Sequence, residues 1–324
     1  MGQEDAVSSS FPAHPASAAE RAGVPNDLRN RIRTLVRVAA DNDSTVSSDE
    51  LRALLPADAF AGTQELGRFL ADDPVLSSEF AVIGGEVVPR DATALIALRS
   101  EQRRLSEERL ATAGRYAHRL SRMCPGIDLV AISGSTAYGG AKPHDDIDFF
   151  IVARRNRMWL TLLLAMGLAR LERLRNPSAP VFCFNRVTER DPCASSFRES
   201  RDPLFAREAL NLRVLQGHAF YADLIRRSPW MRNTFPALYR ERLQEVFFKE
   251  DESTRTTGPA GLLGNAAAFA VLAPYLWLAG LARNVGLSRA GRSRARFRTV
   301  IAWAFCAYES QKYEDLRDAY RRSF

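Results

Sequence analysis

Along the first hundred positions the spacing of apolar residues changes from helical to extended. Leu28, Ile32, Leu35 and Val36 lie three and four apart and predict a helix over 27–40. Ser47 and Glu50 have the spacing of a capping box and open a second helix that carries Leu51, Leu54 and Leu55. A third helix follows over 63–70. Residues 80–83 and 86–88, on either side of Gly84-Gly85, read as a hairpin. Three helices and a hairpin over 26–92 have the layout of a winged helix, whose third helix would meet nucleic acid. That helix offers Gln64, Glu65 and a single basic residue, Arg68. Affinity for phosphates comes from Lys and Arg, so a structural or protein-contact module is the plainer reading.

A long helix over 92–123 follows, with Leu110, Ala113, Tyr116, Ala117 and Leu120 on one stripe, and Pro125-Gly126 ends it. Short apolar runs at 130–133, 147–152 and 180–187 predict strands, with an apolar helix over 157–174 between the last two. This core and its linking helix occupy 93–205. Residues 206–324 read as a helical region, and 1–25, rich in Ser, Ala and Pro, as a disordered tail. Within the helical region, 258–282 has no charged residue and is long enough to cross a bilayer. It also holds Asn265 and Pro274, so a buried helical hairpin broken near Pro274 competes with membrane association.

The chemistry gathers at the first two strands of the core. Alternate residues of a strand share a face, so Asp146 and Asp148 point one way while Ile147 turns to the core. Gly134 and Ser135 form a turn after the preceding strand. Glycine lets backbone approach phosphates without a Cβ, and Ser135 adds a hydroxyl donor. Thr136, Tyr138 and Lys142 are neighbouring candidates for phosphate or ribose contacts. Paired carboxylates beside such a turn suit two Mg²⁺ ions and a polyphosphate.

Gly134-Ser135, ten residues, then Asp146-Ile147-Asp148 resemble the hallmark of the DNA polymerase β-like nucleotidyltransferase superfamily. The resemblance is best over 128–152; the runs 156–160 and 182–185 and, more faintly, 313–316 add to it. It implies an α+β fold with a mixed sheet and flanking helices. It also implies Mg²⁺-dependent transfer of a nucleoside monophosphate from ATP or another NTP to an acceptor (a protein, a small molecule or RNA), with release of pyrophosphate. Asp146 and Asp148 would hold two Mg²⁺ ions; Gly134, Ser135, Thr136 and Lys142 would bind the nucleotide. A third carboxylate belongs on the later strand, where this chain has Asn185. An amide can ligate a metal but cannot act as a base. Glu189, on the same face if the strand continues, or Asp145 would have to substitute.

Composition adds two constraints. The net charge of +7 favours acidic partners such as nucleotides, nucleic acid or anionic lipid. Four cysteines, Cys124, Cys183, Cys193 and Cys306, have no paired metal spacing and fit reduced thiols in the cytoplasm. The N-terminus before Ser8 shows no secretory pattern. Besides the enzyme, two alternatives follow: a nucleotide-binding regulator weakened by Asn185, and an adaptor acting at nucleic acid or at a membrane through 258–282.

Overall fold

The computed structural model describes residues 26–247, 260–289 and 297–324; the expected tail at 1–25 lies outside them. The N-terminal module runs α1 (Asn26–Ala40), β1 (Val46–Ser47), α2 (Ser48–Ala53), α3 (Thr63–Asp72), α4 (Pro74–Glu79), β2 (Phe80–Ile83) and β3 (Glu86–Pro89). The Ser47–Glu50 capping box forms, and Gly84 and Gly85 take the positive φ angles that the hairpin turn requires. The three strands make a small sheet in the order β1-β3-β2. The short helix α4 was not apparent from the sequence; Asp73 caps it, accepting from the backbone N–H groups of Val75 and Leu76.

The core begins with α5 (Leu95–Met123), then β4 (Ile127–Ser133), α6 (Gly134–Ala137), β5 (Ile147–Ala153), α7 (Met158–Arg175), β6 (Phe182–Glu189), α8 (Arg190–Glu199), α9 (Pro203–Asn211) and β7 (Arg213–Gln216). It ends with α10 (His218–Arg226), α11 (Trp230–Thr234), α12 (Pro236–Phe247), α13 (Ala260–Arg289), β8 (Phe297–Ala302), β9 (Phe305–Ser310) and α14 (Gln311–Ser323). Six strands form one mixed sheet in the order β7-β4-β5-β6-β9-β8. Only β5 and β6 run parallel, and α7 supplies the crossover that a parallel pair needs.

The fold is α+β, with helices on both faces of this sheet. Alternation along β4 and β5 divides the core in two. Val130, Ile132, Ile147, Phe149 and Ile151 pack beneath α5, α7 and α13. Leu129, Ala131, Phe150 and Val152 pack on the other face with α8 to α12, α14 and the N-terminal module.

Two sequence expectations need correction here. The region 206–324 is not wholly helical, because β7, β8 and β9 lie in it and complete the core sheet. The turn between β8 and β9 is Trp303-Ala304, without the Gly or Asn that marks such turns. Tertiary contacts hold it instead: Trp159 Nε1 donates to Trp303 O, and Glu189 N donates to Ala304 O. Nor does the apolar segment break at Pro274, which sits inside the continuous helix α13. Pro274 is exposed, and packing of α13 against α7 and β8 on both sides of it offsets the lost hydrogen bond.

Candidate functional site: a carboxylate cleft at one end of the sheet

Strand register brings the sequence motif together. In the antiparallel pair β4–β5, Ser133 stands opposite Asp148, so the turn that follows Ser133 lies over the Asp148 side chain. Gly134 has φ +65°, and a Cβ there would collide with Asp148 Oδ2. Glycine is therefore required twice at this position, by conformation and by contact. The ten-residue spacer is tied to α5 and to itself. Arg109 donates to the carbonyls of Lys142 and Pro143, Ser106 Oγ accepts from Ala141 N at 3.1 Å, and Asp145 accepts from Lys142 N at 3.0 Å. These bonds aim Asp146 and Asp148 at the same cleft.

The third partner arrives through an irregularity. Asp148 pairs with Cys183 and Phe150 with Arg186, so β6 carries one extra residue between these pairs. Bulges redirect side chains, and here Asn185 Nδ2 donates to Asp148 Oδ1 at 2.6 Å. Its Oδ1 in turn accepts from Cys183 Sγ at 2.9 Å. On its other side β6 pairs with β9 only through Arg186, Val187 and Thr188. Among the described residues its first positions, 182–185, have no partner strand there, and a cleft of about 1010 Å³ is lined by Asp146, Asp148, Cys183, Asn185, Tyr308 and Arg283 among others.

Electrostatics set these groups apart. Burial, then the neighbouring charge of Asp146, pushes the Asp148 carboxyl up to about 7, with the Asn185 hydrogen bond opposing. Burial likewise raises Asp146, against the pull of Arg283. Burial and the two acids push the Cys183 thiol up to about 12, so it remains a protonated donor to Asn185. Among the described residues neither acid has an ion-pair partner. Two crowded, destabilised carboxylates fit a divalent cation, which would relieve both. No third His, Cys, Asp or Glu joins them in a metal-binding group among the described residues.

The other expected contacts are dispersed. Ser135 lines a second cavity of about 390 Å³ between the N-terminal module and the core, while Gly134 borders both spaces. Thr136 is buried with its hydroxyl unpartnered and lines neither. The Lys142 ammonium pairs with Asp43 at 2.5 Å, away from the cleft lining. Glu189 does not substitute for a third acid: it is buried and accepts from the backbone N–H groups of Asn156, Arg157 and Met158 at the start of α7. Asp145 is occupied in the spacer turn.

Two residues of the cleft escaped the sequence reading. Arg283 closes the uncharged run, and that position as the first charge after it was the only available signal. Glu208, on α9, lines both cavities, and burial pushes its carboxyl up to about 7 although Arg207 and Arg186 oppose this. Nothing in its local sequence distinguishes it. The chain matches no family model, and no curated protein or solved structure is significantly similar to it.

Proposed function

We propose that the cleft binds a nucleoside triphosphate with a divalent cation and transfers the nucleoside monophosphate to an acceptor, as polymerase β-like nucleotidyltransferases do. The observation that carries this reading is the convergence of Gly134, Asp146, Asp148 and Asn185 on one cleft, with Gly134 in contact range of Asp148. Asp146 and Asp148 are the residues that would hold the cation, which when bound supplies neutralisation of polyphosphate charge. Arg283 adds positive charge to the lining. Asn185 orients Asp148 and cannot take a proton from an acceptor hydroxyl. Glu208, held near neutrality in the same cleft, is suited to that task.

The test is transfer of label from [α-³²P]NTPs to components of a cell lysate. Wild type should label an acceptor in the presence of Mg²⁺ or Mn²⁺, whereas Asp148→Asn and Gly134→Ala should lose at least about a hundredfold, the scale of losing a catalytic contact. Equal labelling by the variants would overturn the proposal. A second reading, a nucleotide-binding regulator, is favoured by the Asn185–Asp148 hydrogen bond, since β6 offers no carboxylate there. It expects cation-dependent NTP binding by calorimetry with no turnover.

A further inference from the structure

The helix α13 leaves a continuous apolar stripe in solvent. Leu263 is 75% exposed, Val271 63%, Trp277 58% and Leu281 50%, and their spacing places them on one side of the helix for most of its length. Patches of this kind mark interaction surfaces. By length and composition α13 is also able to cross a membrane. Its opposite side forbids that. Ala268, Leu272 and Leu276 are buried in the core. Asn265, fully buried, accepts from Trp159 N and Leu160 N with its Oδ1 at 2.8 and 3.2 Å, satisfying the start of α7. Four turns on, Gly280 packs so closely on Thr299 that a Cβ would collide with its hydroxyl. Asn284 then bonds the backbone of Phe297 twice, at 2.7 and 3.1 Å. The helix is held to the sheet near both ends and between them, so it cannot leave to span a bilayer without opening the core.

Charge identifies the occupant of the outer face. From Ser253 to Tyr308 the sequence holds seven arginines and no Asp or Glu; Arg283 belongs to the carboxylate cleft, Arg289 lies at the C-terminal end of α13, and Arg298 lies in the adjoining strand, paired with Glu309 at 3.5 Å. At the same end of the neighbouring α7, Arg170, Arg173 and Arg175 are exposed. Tyr275 and Trp277, both exposed, are side chains that favour the headgroup boundary. A second copy would bring no acidic residue from this stretch to meet the arginines.

We propose that α13 docks in the plane of an anionic membrane surface, its outer stripe at the acyl–headgroup boundary and the arginines among the headgroups. This stands independently of the nucleotide reading. Full-length protein is sedimented with vesicles of phosphatidylcholine, alone or with phosphatidylglycerol. Expected are binding to the anionic vesicles, weakening at high salt, and release by alkaline carbonate. The double variant Trp277→Ser/Leu281→Ser should bind at least about tenfold more weakly, since apolar burial drives insertion, with an unchanged thermal melt because both side chains are exposed. Four results would overturn the proposal: no association with either vesicle, undiminished binding by the variant, resistance to carbonate, or a dimer that the variant dissociates without any vesicle binding.

Discussion

The two ends of the central sheet treat their carboxylates differently. At one end Asp128 of β4 lies between Arg154 and Arg190, at 3.2 and 2.8 Å, and Glu189 caps the start of α7. Asp128 is matched there by two cations, whereas Glu189 has backbone donors but keeps Oε1 buried without a partner, and burial raises its carboxyl. At the other end Asp146 and Asp148 face each other's charge, with one amide donor between them and no ion pair among the described residues. Half-buried acids crowded together without a counter-charge are costly. Such a pair beside a glycine whose φ and close contact exclude other residues is what the proposed function places at that end, with the other end as scaffold.

The largest effect should come from breaking the compensated end. Arg154→Ala/Arg190→Ala strands Asp128 in the core and should cost about 3–5 kcal/mol of stability, read as a lower midpoint in urea unfolding. Asp148→Asn, at the uncompensated end, removes a repulsion and should leave the cation-free protein as stable or more so. Equal destabilisation by the two changes would erase the distinction between the ends.

Next in size is the pH response. Asp148 and Glu208 both titrate near 7 in the folded protein, against about 4 for ordinary carboxyls. The folded chain therefore holds protons that the unfolded chain has released. The stability this contributes is present in full below about pH 4 and is lost as pH rises through about 7. Without divalent cations the melting temperature should fall by several degrees between pH 5.5 and 8, because each carboxyl loses up to about 2 kcal/mol of stabilisation over that interval, less what solvent screening removes. Adding Mn²⁺ or Mg²⁺ should flatten the fall, because the cation replaces the proton at the acids. Thermal melts with and without EDTA measure both. A rise over this interval that cations leave unchanged would remove the unmatched acids from the picture.

The contrast was half legible in the chain. Alternation of Asp146 and Asp148 with Ile147 and Phe149 places the acids on one face, and the structure has Ile147 and Phe149 fully buried. The capping box at Ser47 was readable because it is local. The Asn185–Asp148 contact was not, since it depends on a bulge that no residue pattern announces. Strands β8 and β9 were hidden for a similar reason. The β-branched run Thr299-Val300-Ile301 is present, yet its turn lacks turn residues and is held by Trp159 and Glu189 from far away in the chain. Lys142 and Thr136 show the opposite error. Proximity in sequence suggested a shared site, but an ion pair with Asp43 and an inward-facing side chain withdraw them from the cleft.

The smallest effect should follow from supplying the missing acid. In Asn185→Asp the amide donor 2.6 Å from Asp148 Oδ1 becomes a second acceptor. The cation-free protein then loses a charge-assisted hydrogen bond and gains a repulsion, together about 1–2 kcal/mol. The variant should retain a proton to higher pH, so its melting temperature in EDTA should decline more steeply than that of the wild type. With Mn²⁺ the sign reverses: three carboxylates bind a divalent ion more tightly than two, and calorimetry should record a gain of about tenfold, or about 1.4 kcal/mol. Loss of stability without a gain in Mn²⁺ affinity would mean that Asn185 serves only to hold Asp148 in place. The uncompensated end would then differ from the other in degree of satisfaction, and not in what it is built to bind.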